Sequence, residues 1–142
     1  MQFKKKYKLK NNINDLKDIF GNLKTYGKYH PLIKNVILVN SKNSSKTEYI
    51  VKEQPFNWIP IRMKYLTVVR QKNNKIEYQI KKIPLTKVSF EYDFLHIGEM
   101  ECEVEFKLSL KSKLLGKRIF LKKMIQAQDE LMNNILEEDL YF

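Results

Sequence analysis

Residues 112–138 read SKLLGKRIFLKKMIQAQDELMNNILEE, and the placing of their apolar side chains decides the fold. At about 100° per residue, Leu114, Leu121, Ile125, Met132, Ile135 and Leu136 fall on one stripe, which Phe120, Met124 and Leu131 widen. Lys122, Lys123, Gln126, Glu130, Asn133 and Glu137 take the other face. The spacing predicts one long C-terminal helix with Ser112 as N-cap. Gly116 weakens its first turn by about 1 kcal/mol relative to Ala and leaves a later start open. So wide a stripe needs a broad apolar partner, and the only candidate upstream is a run of alternating strands. The helix is therefore expected to lie in the palm of a curved antiparallel sheet.

Working outward, Phe3, Tyr7 and Leu9 alternate with Lys4, Lys6 and Lys8, the period of a half-buried strand. Ile13, Leu16, Ile19 and Phe20 share a helical face that Asn12 or Asn14 can cap and Gly21 ends. A second short helix fits residues 22–29, and His30-Pro31 then forces the chain extended. Six more strands are read at 36–40, 47–54, 60–71, 75–83, 87–95 and 99–110, joined by hairpin turns without a βαβ crossover. The expected class is α+β. A seven-stranded curved antiparallel sheet wraps the long C-terminal helix, with two short helices after the first strand, in a single domain spanning 1–142.

Alternation also assigns faces. Met63, Tyr65, Thr67, Val69, Ile76, Tyr78, Ile80, Val88, Phe90, Tyr92 and Phe94 are expected on the concave side, with Met100, Cys102, Val104, Phe106 and Leu108 from the last strand. The outer face of that strand carries Glu99, Glu101, Glu103 and Glu105, four carboxylates that repel unless cations lie alongside. If the first and last strands are neighbours, Lys4, Lys6 and Lys8 pair with Glu101, Glu103 and Glu105 at up to ~1 kcal/mol each.

Composition narrows the class. A chain of 142 residues buries about two-thirds of its unfolded surface around one core. The single cysteine, Cys102, excludes an intrachain disulfide and points to a reducing compartment. Neither a secretory signal nor a membrane-spanning run is present, so a cytoplasmic protein is expected, and the Asn43-Ser44-Ser45 sequon carries no weight without secretion. The net charge of +11 accompanies an abundance of Lys, Asn, Ile and Tyr, the bias of AT-rich coding, so much of it is read as a solvated lysine surface. That surface also suits peripheral contact with an anionic membrane. Specific nucleic-acid binding would place aromatics among cations on an exposed face, whereas here they point inward. His30 and His96 lie in no metal-ligand spacing, and no cofactor or metal is implied.

The order β-α-α-β-β-β-β-β-β-α resembles the START-like superfamily, also called SRPBCC or helix-grip. Within it the nearest in style are the bacterial polyketide cyclase/dehydrase and coenzyme-Q-binding families. The most telling local pieces are Asp15-Leu16-Lys17-Asp18-Ile19-Phe20 and Tyr26-Gly27-Lys28-Tyr29-His30-Pro31-Leu32-Ile33-Lys34-Asn35-Val36, which look like the two-helix segment leading into the second strand. Tyr29 matches a position where an aromatic is usual, while no catalytic signature is matched. The resemblance implies a pocket between sheet and long helix for a lipid, quinone, polyketide or other hydrophobic small molecule. A monomer or weak dimer is expected.

On that footing the candidate ligand-binding residues are Met63, Tyr65, Tyr78, Phe90, Tyr92, Cys102, Val104, Phe106, Leu121, Met124, Ile125 and Gln128. Mixed aromatic and flexible apolar groups suit an adaptable pocket, and equally a filled core. Gln128 lies within the apolar stripe, where it offers its amide either to a ligand or to an inward tyrosine. Cys102 reads as a small core residue, with no base to activate it. Glu53 shares inward parity with Tyr49 and Val51, as a buried acid or base of a cyclase or dehydratase would. The loop at 55–60, with Phe56 and Trp58 between prolines, is a candidate pocket cover or membrane contact. Three functions follow: binding or transport of a hydrophobic molecule, the enzyme alternative, and a basic-surface interaction with membrane or ribosome.

Overall fold

A computed structural model describes residues 1–43, 46–54 and 62–139. Strand β1 (Gln2–Leu9) leads to helices α1 (Ile13–Gly21) and α2 (Leu23–Tyr29). Strands β2 (Ile33–Asn43), β3 (Lys46–Glu53), β4 (Met63–Lys72), β5 (Lys75–Lys81), β6 (Thr86–Gly98) and β7 (Glu101–Ser112) follow, and helix α3 (Lys117–Asp139) closes the chain. The seven strands form one antiparallel sheet in the order β1-β7-β6-β5-β4-β3-β2. The α+β class and its wrapped helix are thus as the periodicities require. The expected loop at 55–60 lies outside the described residues.

The first strand does pair with the last, one step from the expected register. Lys6 faces Glu105 and Lys8 faces Glu103, while Lys4 faces Lys107 instead of a carboxylate. Lys6 Nζ lies 3.6 Å from Glu103 and 4.0 Å from Glu105, exposed pairs of small energetic value. On the inward side, Lys5 reaches Asp129 of α3 at 2.8 Å and Tyr7 donates to the same carboxylate at 2.7 Å, tying β1 to the helix.

Two expectations need correction. Ser112 is the last residue of β7, not the cap of α3: its hydroxyl bonds Thr86 at 2.9 Å and accepts the Leu114 N–H at 3.1 Å. The helix starts five residues later, as Gly116 allowed, so Leu114 is 42% exposed and the buried line is Ala127, Gln128, Leu131, Met132 and Ile135. Met100 is 64% exposed, because a bulge at Gly98 and a turn delay the start of β7 and leave it outside the sheet.

Leu16, Phe20, Leu23 and Tyr26 plug the concave face from α1 and α2. A Cβ on Gly27 would come 3.1 Å from methyls of Ile33 and Val36, so α2 sits as close on β2 as glycine permits. The first turn of α3 carries Lys117 and Arg118 and no acid, the opposite of what a helix N-terminus favours, at a cost of about 0.3–1 kcal/mol per charge.

Phe20 is fully buried, with ring centroids 4.5 Å from Tyr92, 5.5 Å from Phe94 and 5.6 Å from Tyr26. Truncation leaves a cavity that aromatic neighbours cannot close. Phe20→Ala should therefore lower stability by about 3–5 kcal/mol in urea unfolding, whereas Ile119→Ala, at an exposed position, should change it by under ~0.5 kcal/mol.

Candidate functional site

Three elements meet at one buried polar cluster. Tyr92 of β6 donates to the Gln128 side-chain oxygen, and Gln128 Nε2 donates to Tyr26 Oη of α2 at 3.1 Å. The two tyrosine hydroxyls are 2.8 Å apart. With the Tyr92 proton committed to Gln128, Tyr26 must be the donor to Tyr92, so the three groups close a ring in which each both gives and receives. Gln128 is thus the inward amide anticipated, bound to one of the tyrosines expected for it. Tyr78 adds a hydrogen bond to the Phe20 carbonyl, fastening β5 to α1.

Beside this ring lies a cavity of about 40 Å³ between the sheet and α3. Val51, Ile80 and Phe106 supply apolar wall from the sheet, and Phe120 and Met124 cover it from the helix. Four further polar groups converge on it: Glu53, Tyr65, Thr67 and His30. Thr67 is buried, and its hydroxyl has no hydrogen-bond partner among the described residues. The volume holds a water or two but not a drug-sized ligand, for which pockets begin near ~300 Å³.

Electrostatics follow from enclosure. Burial pushes the Glu53 carboxyl above its ordinary value, partly offset by a hydrogen bond from Tyr65. Tyr65 is itself held well above the usual phenol range by burial and then by the Glu53 charge. Burial lowers His30 to about 4, so its ring is neutral, and Nδ1 accepts the Leu32 N–H at 3.2 Å, which leaves the proton on Nε2. The arrangement is an apolar chamber with donors and acceptors grouped along one side, able to orient a carbonyl or hydroxyl.

Among the candidate residues, Tyr65, Tyr78, Phe90, Phe106, Met124 and Gln128 line the cavity, and Tyr92 stands behind Gln128. Met63 and Leu121 pack at the edge of the core, and Ile125 is half-buried away from the cavity wall. Cys102 and Val104 are buried nearer the other end of β7, opposite Leu9 and Tyr7. Burial raises the Cys102 thiol, and its sulfur contacts the Glu103 carbonyl, so it fits a core role. Tyr26, Thr67 and His30 also line the cavity, beyond the candidate ligand-binding residues. Tyr26 was discernible as the buried i+3 partner of Leu23, but the convergence of all three depends on where α2 docks. Among the described residues no cluster of three or more His, Cys, Asp or Glu is placed to hold a metal, and no helix is long and apolar enough to cross a membrane.

No protein-family profile matches the sequence, and no curated protein matches it. Solved structures do match in shape. The Zhui aromatase/cyclase from Streptomyces sp. R1128 superposes with a TM-score of 0.83 at 8% identity, covering 97% of this chain and 92% of its own. A START superfamily protein from Mycobacterium smegmatis gives 0.81 at 13% identity, over 96% and 95% of the two chains. TTHA0849 from Thermus thermophilus gives 0.81 at 12% identity, over 99% and 98%. At such identities the likeness is one of fold, and the fold of this chain is the START-like helix grip.

Proposed function

We propose that this chain binds a small molecule with a hydrophobic body and one hydrogen-bonding head, held between the sheet and α3. The observation that carries the reading is the unpartnered Thr67 hydroxyl in a chamber whose other polar groups, Glu53, Tyr65 and Gln128, face the same small space. A buried hydroxyl without a partner costs about 1–3 kcal/mol, which a ligand head relieves. The head takes the cavity, and the body takes the volume now filled by Phe120 and Met124, both only half-buried. Met124 repacks cheaply because its chain is unbranched. The likeness to a START superfamily protein and an aromatase/cyclase supports this reading at the level of fold. A second reading rests on Glu53: a carboxyl whose proton affinity burial raises, beside Tyr65, is suited to act as a general acid toward a bound carbonyl.

The binding reading is checked by native mass spectrometry of the isolated protein and thermal shift with long-chain fatty acids, a ubiquinone analogue and an aromatic polyketide. A stoichiometric adduct or a ligand-dependent shift is expected for the wild type. Thr67→Val should weaken it roughly 5- to 10-fold by removing the hydroxyl partner at nearly constant volume. A filled, inert core would give neither adduct nor shift.

Protonation gives an independent check. Glu53 has a raised value in the fold, so its stabilising contribution is complete below its ordinary 4.5 and is lost as pH rises through the raised value. The wild type should therefore lose stability relative to Glu53→Gln as pH increases across that window. His30 behaves oppositely, its contribution being present above 6.5 and lost as pH falls through about 4. Urea midpoints of His30→Asn, whose side-chain oxygen can still accept the Leu32 N–H, should lack that acid-side decline.

A further inference from the structure

We infer that the end of the molecule formed by the β5–β6 turn and the β7–α3 connection docks on an anionic lipid bilayer. Four large apolar side chains stand out from it: Leu85 at 65%, Leu114 at 42%, Leu115 fully and Ile119 at 62% exposed. Leu85 and the Leu114–Leu115 step lie side by side, because Lys113 N–H donates to the Leu85 carbonyl at 3.0 Å and the Thr86 and Ser112 hydroxyls are bonded across the same gap; Ile119 follows in the first turn of α3. A groove of about 650 Å³ runs along this end, with Leu85, Lys87, Lys111, Lys113 and Lys117 in its walls. Leu85 has φ 53°, a left-handed conformation uncommon for a bulky residue, in the turn that holds its side chain in solvent.

Among the described residues, cations surround these side chains and carboxylates do not. Lys82, Lys87, Lys111, Lys113, Lys117 and Arg118 border the patch, and none has an ion pair among the described residues. Strand pairing extends the basic edge, since Lys87 faces Lys111 and Lys52 faces Lys64. On the elements reaching this end, the nearest acids are Glu105 on β7, Glu91 on β6, Glu77 on β5 and Asp129 on α3, all further along their elements; Glu53 of β3 points into the cavity. By contrast, three lysines further down the sheet are paired, Lys6 with Glu103, Lys75 with Glu91 and Lys107 with Glu91. The positive first turn of α3 belongs to the same patch and is relieved when an anion approaches it.

Protruding leucine and isoleucine within an uncompensated ring of lysines match a bilayer surface chemically: the apolar groups enter the acyl boundary while the ammonium groups stay among anionic headgroups. A flat polyanion such as RNA would use the charges and leave the leucines in water. Ile83, which lines both this groove and the interior cavity, makes the docked end the one nearest the chamber. The docking itself does not rest on a ligand being bound there.

Vesicle flotation of the full chain tests this, with phosphatidylcholine alone and with phosphatidylcholine containing phosphatidylglycerol. Binding to the mixed vesicles only, weakened by salt, is the expected result. Leu115→Ser and Lys113→Glu/Lys117→Glu should each reduce it about 10-fold or more, with melting temperatures unchanged because every altered side chain is exposed. Leu95→Ser at the opposite end, also exposed, should leave it intact. Failure to bind either vesicle at low salt overturns the proposal. So does binding that Leu115→Ser leaves unaltered, which would indicate a generic polyanion surface, or concentration-dependent self-association lost in Leu115→Ser without vesicle binding, which would assign the patch to a second copy of the chain.

Discussion

A buried side-chain amide must find partners inside the protein, and in this fold Gln128 finds both of its own on elements far apart in sequence. Tyr92 brings the centre of the sheet, Tyr26 brings α2, and α3 supplies Gln128 itself. An apolar helix stripe alone tolerates rotation or sliding over an apolar sheet, because dispersion is non-directional. A closed ring of hydrogen bonds does not, since a displacement that opens one bond leaves buried polar atoms unsatisfied at about 1–3 kcal/mol each. The ring thus sets the rotation of α3 and the seat of α2 together, and Lys5 and Tyr7 on Asp129 hold the helix from the first strand.

The same ring shapes the interior beside it. Aromatic side chains from β5, β6, β7 and α1 stack around Tyr92, and they consume most of the volume that a curved sheet could enclose. What remains is small and one-sided, with Thr67, Glu53 and Tyr65 on the part of the wall not covered by the aromatic stack. Enclosure raises the Glu53 carboxyl above its ordinary value and keeps the His30 ring neutral, so the chamber wall holds groups that still donate and accept. The half-buried Phe120 and Met124 are the adaptable part of the chamber, whereas the Tyr26-Tyr92-Gln128 side is rigid.

Charge divides along the other axis of the molecule. Antiparallel pairing gathers at one end the starts of β2, β4 and β6 with the ends of β3, β5 and β7. Lysines scattered through the chain therefore become neighbours, while Glu91, Glu103 and Glu105 lie further down the sheet among lysines that pair with them. A net charge of +11 is for this reason less a uniform coat than a polarised surface.

Periodicity determined the architecture without help from tertiary contacts. The two-residue alternation in β4 to β7 named the inward side chains correctly apart from Met100, and the helical stripe of 112–138 required a sheet to cover it. Each is a local consequence of backbone geometry, so each is readable along the chain. Helix start, β1–β7 register and the turn at Met100 were set by competition among nearby bonds, such as the Ser112 hydroxyl serving Thr86 and Leu114 instead of capping α3. Only the tertiary structure decided that Tyr26, Thr67 and His30 join Tyr65, Glu53 and Gln128 around one chamber, and that the chamber is nearly full. Convergence depends on the docking of α2, and volume is a small difference between a large envelope and the side chains that fill it. Neither quantity is carried by any single stretch of sequence.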